Sequence, residues 1–178
     1  MPGYEHIPMD SNKKCVREPE KTSFESNTMT QPQIENRPLS EFWMTWMTGY
    51  CVAVALFGIV LAGGAFDVTS GPVRIIFNLM NGPGEFDLVP AMRFSLGVLG
   101  AVSLGWSVTL YAAVQAANQL GRPSGRSIWI MITASVVCWY LIDSTLSIAT
   151  GFWMNAIPNT ILMAAFLVPV VHCRVLRG

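Results

Sequence analysis

From Phe42 onward the chain is a succession of long apolar runs broken by short clusters of glycine, proline and polar residues. Four runs stand out, at about 42–66, 90–117, 127–149 and 155–171. Each reaches, with its flanks, the roughly 20 residues an α-helix needs to cross about 30 Å of hydrocarbon. The runs are continuous, without the alternation of a strand barrel. Their breaks, "NGPGEFD", "GRPSGR" and "TGFWMN", have the chemistry of loops. The pattern predicts an all-α membrane four-helix bundle occupying residues 42–178.

Between the first two runs, "PVRIIFNLM" at 72–80 is too short to cross. Val73, Ile76, Phe77 and Met80 recur at i, i+3, i+4 and i+7, with Arg74, Asn78 and Asn81 opposite them. This predicts a short amphipathic helix lying in the membrane interface. A re-entrant lid over the bundle is the sharper alternative.

Composition sharpens the contrast between the two parts of the chain. The 178 residues are 52% hydrophobic and only 12% charged, about half the charged share of a soluble domain. Five of the 11 basic and seven of the 11 acidic residues precede Phe42. Residues 1–41 are polar, lack apolar periodicity and read as a disordered tail, since burial there would not offset chain ordering. The tail is not a secretory signal: no apolar segment with a small-residue cleavage pattern follows its charges. Met29 opens "MTQPQ" just ahead of the first run, so two start sites fit the sequence. Neither part has the basic excess that nucleic-acid binding requires. The partners expected are the lipid bilayer and either a second copy of the chain or a larger membrane protein.

The remaining charges orient the chain. With the N-terminus in the cytoplasm, Arg37, Arg122, Arg126, Arg174 and Arg177 lie inside near span ends, against Arg74 and Arg93 outside, as the positive-inside rule prefers. Both termini are then cytoplasmic, in the cell (inner) membrane, and segment 67–89 is outside. Trp43, Trp46, Trp129 and Trp153 fall where interfacial aromatic belts are expected.

Polar and small residues inside the runs are the candidate functional groups. Gly97, Ala101 and Gly105, flanked by Arg93, Thr109 and Ala113, recur every four residues and predict close helix packing. Asp143, Ser147 and Gly151 follow the same spacing, as do Asn155 and Asn159. A lone ionised carboxylate in hydrocarbon costs roughly 2.5–3.5 kcal/mol on insertion scales, so Asp143 needs a partner. Arg93 is the one basic residue within an apolar run. It enters three residues from one end of its span and Asp143 about seven from the matching end of the next, an offset of about 6 Å. Packed helix axes lie roughly 8–10 Å apart, so an Arg93–Asp143 ion pair is expected. Arg93, Asp143, Ser147, Asn155 and Asn159 then form either a water-accessible polar pocket or a hydrogen-bonded knot that fixes helix register.

Other chemistries find little footing. Cys15, Cys51, Cys138 and Cys173 have no CxxC or CxxH spacing, which gives neither a zinc site nor a redox pair. Cys51 and Cys138, in apolar runs, read as small buried hydrophobes. His172 at a span end and His6 in the tail do not make a haem site. No nucleophile, base and acid converge and no phosphate loop is present, so no catalytic residue, metal or cofactor is assigned and the chain reads as a non-enzyme. The stretches "RFSLGVLGAVSLGW" and "WYLIDSTLSIATGFWMNAIPNT" resemble small uncharacterised four-span bacterial inner-membrane proteins, and through them the DoxX-like four-helix group. That resemblance spans about 49–174 and implies a fold without a chemistry. Two functions compete: an accessory or small-solute-handling bundle, and a quinone-handling redox subunit whose pocket would be shaped by Arg93, Asp143, Trp106 and Trp139.

Overall fold

The computed structural model describes residues 38–81 and 87–177, and among these it is all-α with no strand. The tail expectation, except for its last four residues, and most of "NGPGEFD" lie outside the described residues. Helix α1 is Glu41–Gly63, α2 is Gly71–Asn81, α3 is Pro90–Ala149 and α4 is Ala156–His172, with single 3₁₀ turns at Asp67–Thr69 and Trp153–Asn155. Three helical stretches are long and apolar enough to cross a membrane: Glu41–Gly63, Pro90–Ala149 and Trp153–His172. Short α2 is not among them.

Straight, the 60 residues of α3 would reach about 90 Å, three times the hydrocarbon thickness. They do not run straight. Gly121 has φ 74° and ψ 179°, outside helical space, and the chain doubles back there. Trp106 and Trp139, 33 positions apart in sequence, have ring centroids 5.7 Å apart, so the two arms of α3, residues 90–120 and 122–149, are antiparallel. A positive φ is cheap for glycine alone. Gly125 then nests against Ala117: an added Cβ would run into the Ala117 carbonyl oxygen and lie 3.0 Å from its carbon. The reversal is therefore sharper than the nine-residue gap, 118–126, between runs ending at 117 and starting at 127, and both arms extend almost to the turn.

The packing seams follow alternating steps of three and four residues, the period of left-handed helix packing. On α1 these are Met47, Tyr50, Cys51, Val54, Gly58 and Leu61. On the first arm they are Leu96, Gly100, Ser107, Leu110, Val114 and Ala117, and on the second Gly125, Trp129, Ile132 and Val136. Phe166 and Val170 of α4 complete the main core. The outward sides carry Leu56, Phe57, Val102, Val108, Leu141 and Ile161, all exposed. Large apolar side chains on both the buried and the exposed sides suit a helix whose solvent is lipid.

Two features of the seam differ from the sequence expectation. Ala101 and Gly105 face outward, and a Cβ on Gly105 would meet nothing within 4 Å. Gly97 sits against Ala65, at 3.2 Å from an added Cβ, but the closest approach is Gly100 against the backbone of Ala62 and Gly58. A strict four-residue repeat drifts around a 3.6-residue helix, whereas the seam stays in phase by alternating threes and fours. Trp129, expected among the interfacial aromatics, has its side chain turned inward. It is 1% exposed and packs in the core, because the one-residue turn at Gly121 brings it inside the bundle.

Of the cysteines, Cys51 is buried as expected while Cys138 is exposed. Its position between Val136 and Trp139 turns it away from the seam. Trp43 is half-buried against His172, with centroids 5.1 Å apart. Trp46 and Trp153 are exposed, and Trp46 Nε1 donates to the Ala165 carbonyl at 2.9 Å.

Both ends of the molecule are tied. At the Gly121 end, Leu39 N donates to the buried Asn118 Oδ1 at 3.0 Å, and Arg126 Nε donates to the Leu176 carbonyl at 3.0 Å. At the other end, α2 lays Val73 onto Leu61, Leu88 and Leu96, with Phe77 partly buried beside them and edge-on to Phe152 at 6.4 Å. The predicted face of α2, Val73, Ile76, Phe77 and Met80, is buried or half-buried, while Asn78 is exposed. Ile75 and Leu79 also point outward, giving this helix a second apolar side.

Candidate functional site

The turn between α3 and α4 sets up the polar cluster. Thr150 N and Gly151 N donate back to the carbonyls of Leu146 and Ile148, and Gly151 takes φ 89°, the left-handed conformation that commonly ends a helix at glycine. The chain turns through Trp153–Asn155 and returns antiparallel as α4. In that register each four-residue step back along the second arm of α3 is matched by four residues forward along α4. Ser147 thus meets Asn155, and Asp143 meets Asn159.

The contacts follow directly. Asn159 Nδ2 donates to Asp143 Oδ2 at 2.7 Å and reaches Ser144 Oγ at 3.5 Å. Asn155 Nδ2 donates to Ser147 Oγ at 2.9 Å and lies 3.5 Å from the same Asp143 Oδ2. Ser144, Ser147 and Asn159 are buried, and Asp143 and Asn155 half-buried. One turn further along, Tyr140 Oη and Thr160 Oγ1 share a hydrogen bond of 3.2 Å. Every group touching the carboxylate is neutral. Among the described residues no cation lies within ion-pair distance of Asp143.

Arg93 is elsewhere, and this corrects the expected Arg93–Asp143 pair. Its Nη2 bonds Asp67 Oδ1, and its Nε donates to the Leu88 carbonyl at 2.8 Å. Arg74 Nη2 approaches the same Asp67 oxygen at 4.0 Å. The side chain of Asp67 is 77% exposed, so this charge cluster sits at the rim of the bundle. Arg93 starts one turn into its helix, and a long guanidinium side chain there gains more by reaching outward to water and a carboxylate than by desolvating toward Asp143. Asp143, left without a charged partner, is met by neutral donors instead.

Asp143, Ser147, Asn155 and Asn159 are thus gathered in one place, and Arg93 in another. Two members escaped the sequence reading. Ser144 is one position off the Asp143–Ser147 row, and Tyr140 is a half-buried aromatic whose hydroxyl matters only once Thr160 is opposite it. The signal for Ser144 was its adjacency to Asp143 on a seam that advances by three as well as four. Trp106 and Trp139 pack against one another at a tilt of 41° within the hairpin of α3. The four groups expected to shape a quinone pocket therefore do not converge on one cavity through an Arg93–Asp143 contact.

No group of three or more His, Cys, Asp or Glu that could hold a metal occurs among the described residues. A shallow, open groove runs along Ile148, Trp153, Ala156, Ile157, Thr160 and Ile161, and its lining is almost wholly apolar. It includes no side chain that touches Asp143. At the other end of α4, burial pushes the Cys173 thiol pKa up, with the Arg122 charge acting in the opposite direction. Comparison of the chain with protein-family models, with curated proteins and with solved structures gave no match.

Proposed function

We propose that this chain is an integral membrane protein of the cell (inner) membrane that crosses four times, with both termini cytoplasmic, and acts as an accessory or small-solute-handling bundle. Under this reading the two arms of α3 are separate crossings, α2 lies in the outer interface, and the turn at Gly121 faces the cytoplasm. The observation that carries it is the Asp143 cluster. Under this reading a carboxylate within an apolar helix, held by Asn155 and Asn159 rather than by an arginine, is a polar site that solutes reach from one side. The same contacts lock α3 to α4 in register, and the two roles share the same atoms.

The charge distribution supports the orientation, since Arg122, Arg126, Arg174 and Arg177 all lie at the Gly121 end. Reporter fusions at Gly178 and near Gly82 test it: cytoplasmic activity at Gly178 and none at Gly82 is expected, and the reverse overturns the topology. Access to the site is tested separately with Ser147→Cys in a chain whose native cysteines are serine. A membrane-impermeant thiol reagent added from the Gly82 side is expected to label it. Labelling from neither side would reduce the cluster to a structural knot.

A further inference from the structure

The solute that fits this cluster follows from its atoms and rests on the solute-handling reading above. Asp143 brings one formal charge into an apolar helix, and the structure supplies it with no cation. Its Oδ2 accepts from two amides, while its Oδ1 has no hydrogen-bond partner among the described residues. The surrounding side chains are rich in hard oxygen. Ser144 and Ser147 offer hydroxyl oxygens, each facing the same amide nitrogens that touch the carboxylate. An asparagine amide turned by half a rotation presents a carbonyl oxygen where it had an N–H donor, because the two ends have nearly the same shape. Asn155 and Asn159 can therefore change from donors into ligands without any movement of the helices.

We propose that Asp143, Ser144, Ser147, Asn155 and Asn159 bind one small alkali cation, with the two asparagine amides rotating to face it. The cation supplies the charge that Arg93, committed to Asp67, does not. The choice of ion follows from charge and hardness. One carboxylate with one monovalent cation is neutral, which removes the cost of an isolated charge in hydrocarbon. A divalent ion would leave a net positive charge and ordinarily recruits more carboxylates. Transition metals favour imidazole and thiolate ligands, and this cluster has neither. The oxygen set comprises two atoms from Asp143 and one from each of the other four side chains, within the range that hard cations take. Ligands drawn from both α3 and α4 mean that the bound ion also clamps the two helices together.

The test uses the full-length protein in lipid nanodiscs with Na⁺ as the probe. Binding of radioactive Na⁺ is measured by scintillation proximity, and thermal unfolding is followed while NaCl replaces choline chloride at constant ionic strength. Saturable Na⁺ binding and a saturable rise in Tm are expected for the natural chain, since a ligand that binds only the folded state stabilises it. Asp143→Asn should abolish both. Ser147→Ala, which removes one neutral oxygen and no charge, should weaken Na⁺ binding about tenfold and keeps the inference testable should Asp143→Asn fold poorly. Absence of saturable Na⁺ binding in the natural chain, binding of Ca²⁺ in preference to Na⁺, or Na⁺ binding that survives Asp143→Asn would each overturn the proposal. The solute-handling reading fails on its own if Ser147→Cys is labelled from neither side. It stands without this inference if Ser147→Cys is labelled and Na⁺ does not bind.

Discussion

Replacing Gly100 by alanine adds one methyl group where α1 and the first arm of α3 come closest. That Cβ would lie 2.5 Å from the Gly58 carbonyl oxygen and 2.7 Å from Ala62 Cα, whereas ordinary contact begins near 3.4 Å. Both obstacles are backbone, so no side chain can swing aside. Relief requires the helices to part by about 1 Å, and a gap of that size forfeits a quarter to a half of the dispersion attraction at each contact along the seam. In lipid this attraction is a principal force holding helices together. Overpacking typically costs about 1–3 kcal/mol, and backbone against backbone places Gly100→Ala near the upper end, at about 3 kcal/mol. Gly105→Ala is the matched control. It is the same chemical change five positions along, but nothing stands within 4 Å of the new methyl, and the gain in helix propensity is at most about 1 kcal/mol. Reversible unfolding in mixed micelles by increasing the mole fraction of a denaturing detergent measures both. Gly100→Ala should unfold far more readily than the natural chain, and Gly105→Ala should match or slightly exceed it. Equal effects of the two substitutions, or a Gly100→Ala change below about 0.5 kcal/mol, the usual scale for a surface substitution, would refute the assignment of Gly100 to the seam.

Three further outcomes are expected. In double-mutant cycles measured by the same unfolding assay, Asp143→Leu and Asn159→Leu should couple by about 0.5–3 kcal/mol, whereas Asp143→Leu and Arg93→Leu should be additive, because Arg93 bonds Asp67 and Asn159 bonds Asp143. Asn118→Leu leaves the buried Leu39 N–H without its acceptor and should cost about 1–3 kcal/mol; Asn118→Asp retains an acceptor oxygen and should cost less, and equal losses would point away from that hydrogen bond. In a chain keeping Cys173 as its sole cysteine, alkylation should be slower than in the unfolded chain and the gap should close as pH rises, because burial raises this thiol's pKa. The sign for stability follows: the contribution from keeping Cys173 neutral is fully present below the unfolded thiol's pKa and is lost as pH rises through the folded value, which a pH series of unfolding midpoints checks.

What the linear chain determines here is what depends on neighbours along it. Apolar runs long enough to cross hydrocarbon specify helices, because lipid leaves every backbone group to be satisfied internally. The short periodicity of 73–80 specifies α2, and the i, i+4 spacing of Asp143 and Ser147, then of Asn155 and Asn159, specifies two polar faces. A turn of a few residues at Gly151 leaves those faces little choice but to meet, so most of the polar cluster was legible. Quantities that depend on partners far along the chain were not. The pairing of Arg93 with Asp67 required knowing that the loop before α2 folds back over the start of α3, and a charge near a helix end can satisfy itself outward or inward equally well by spacing alone. The phase of the packing seam turned on the three-dimensional drift between a four-residue repeat and a 3.6-residue helix, which moved the close contact from Gly97, Ala101 and Gly105 to Gly100 and Gly58. Trp129 and Asn118 became core residues only because one glycine at position 121 reverses the chain in a single step. Local spacing names the groups each helix can offer; the tertiary fold decides which offers are taken, since each contact between helices is a competition among partners whose distances the sequence does not contain.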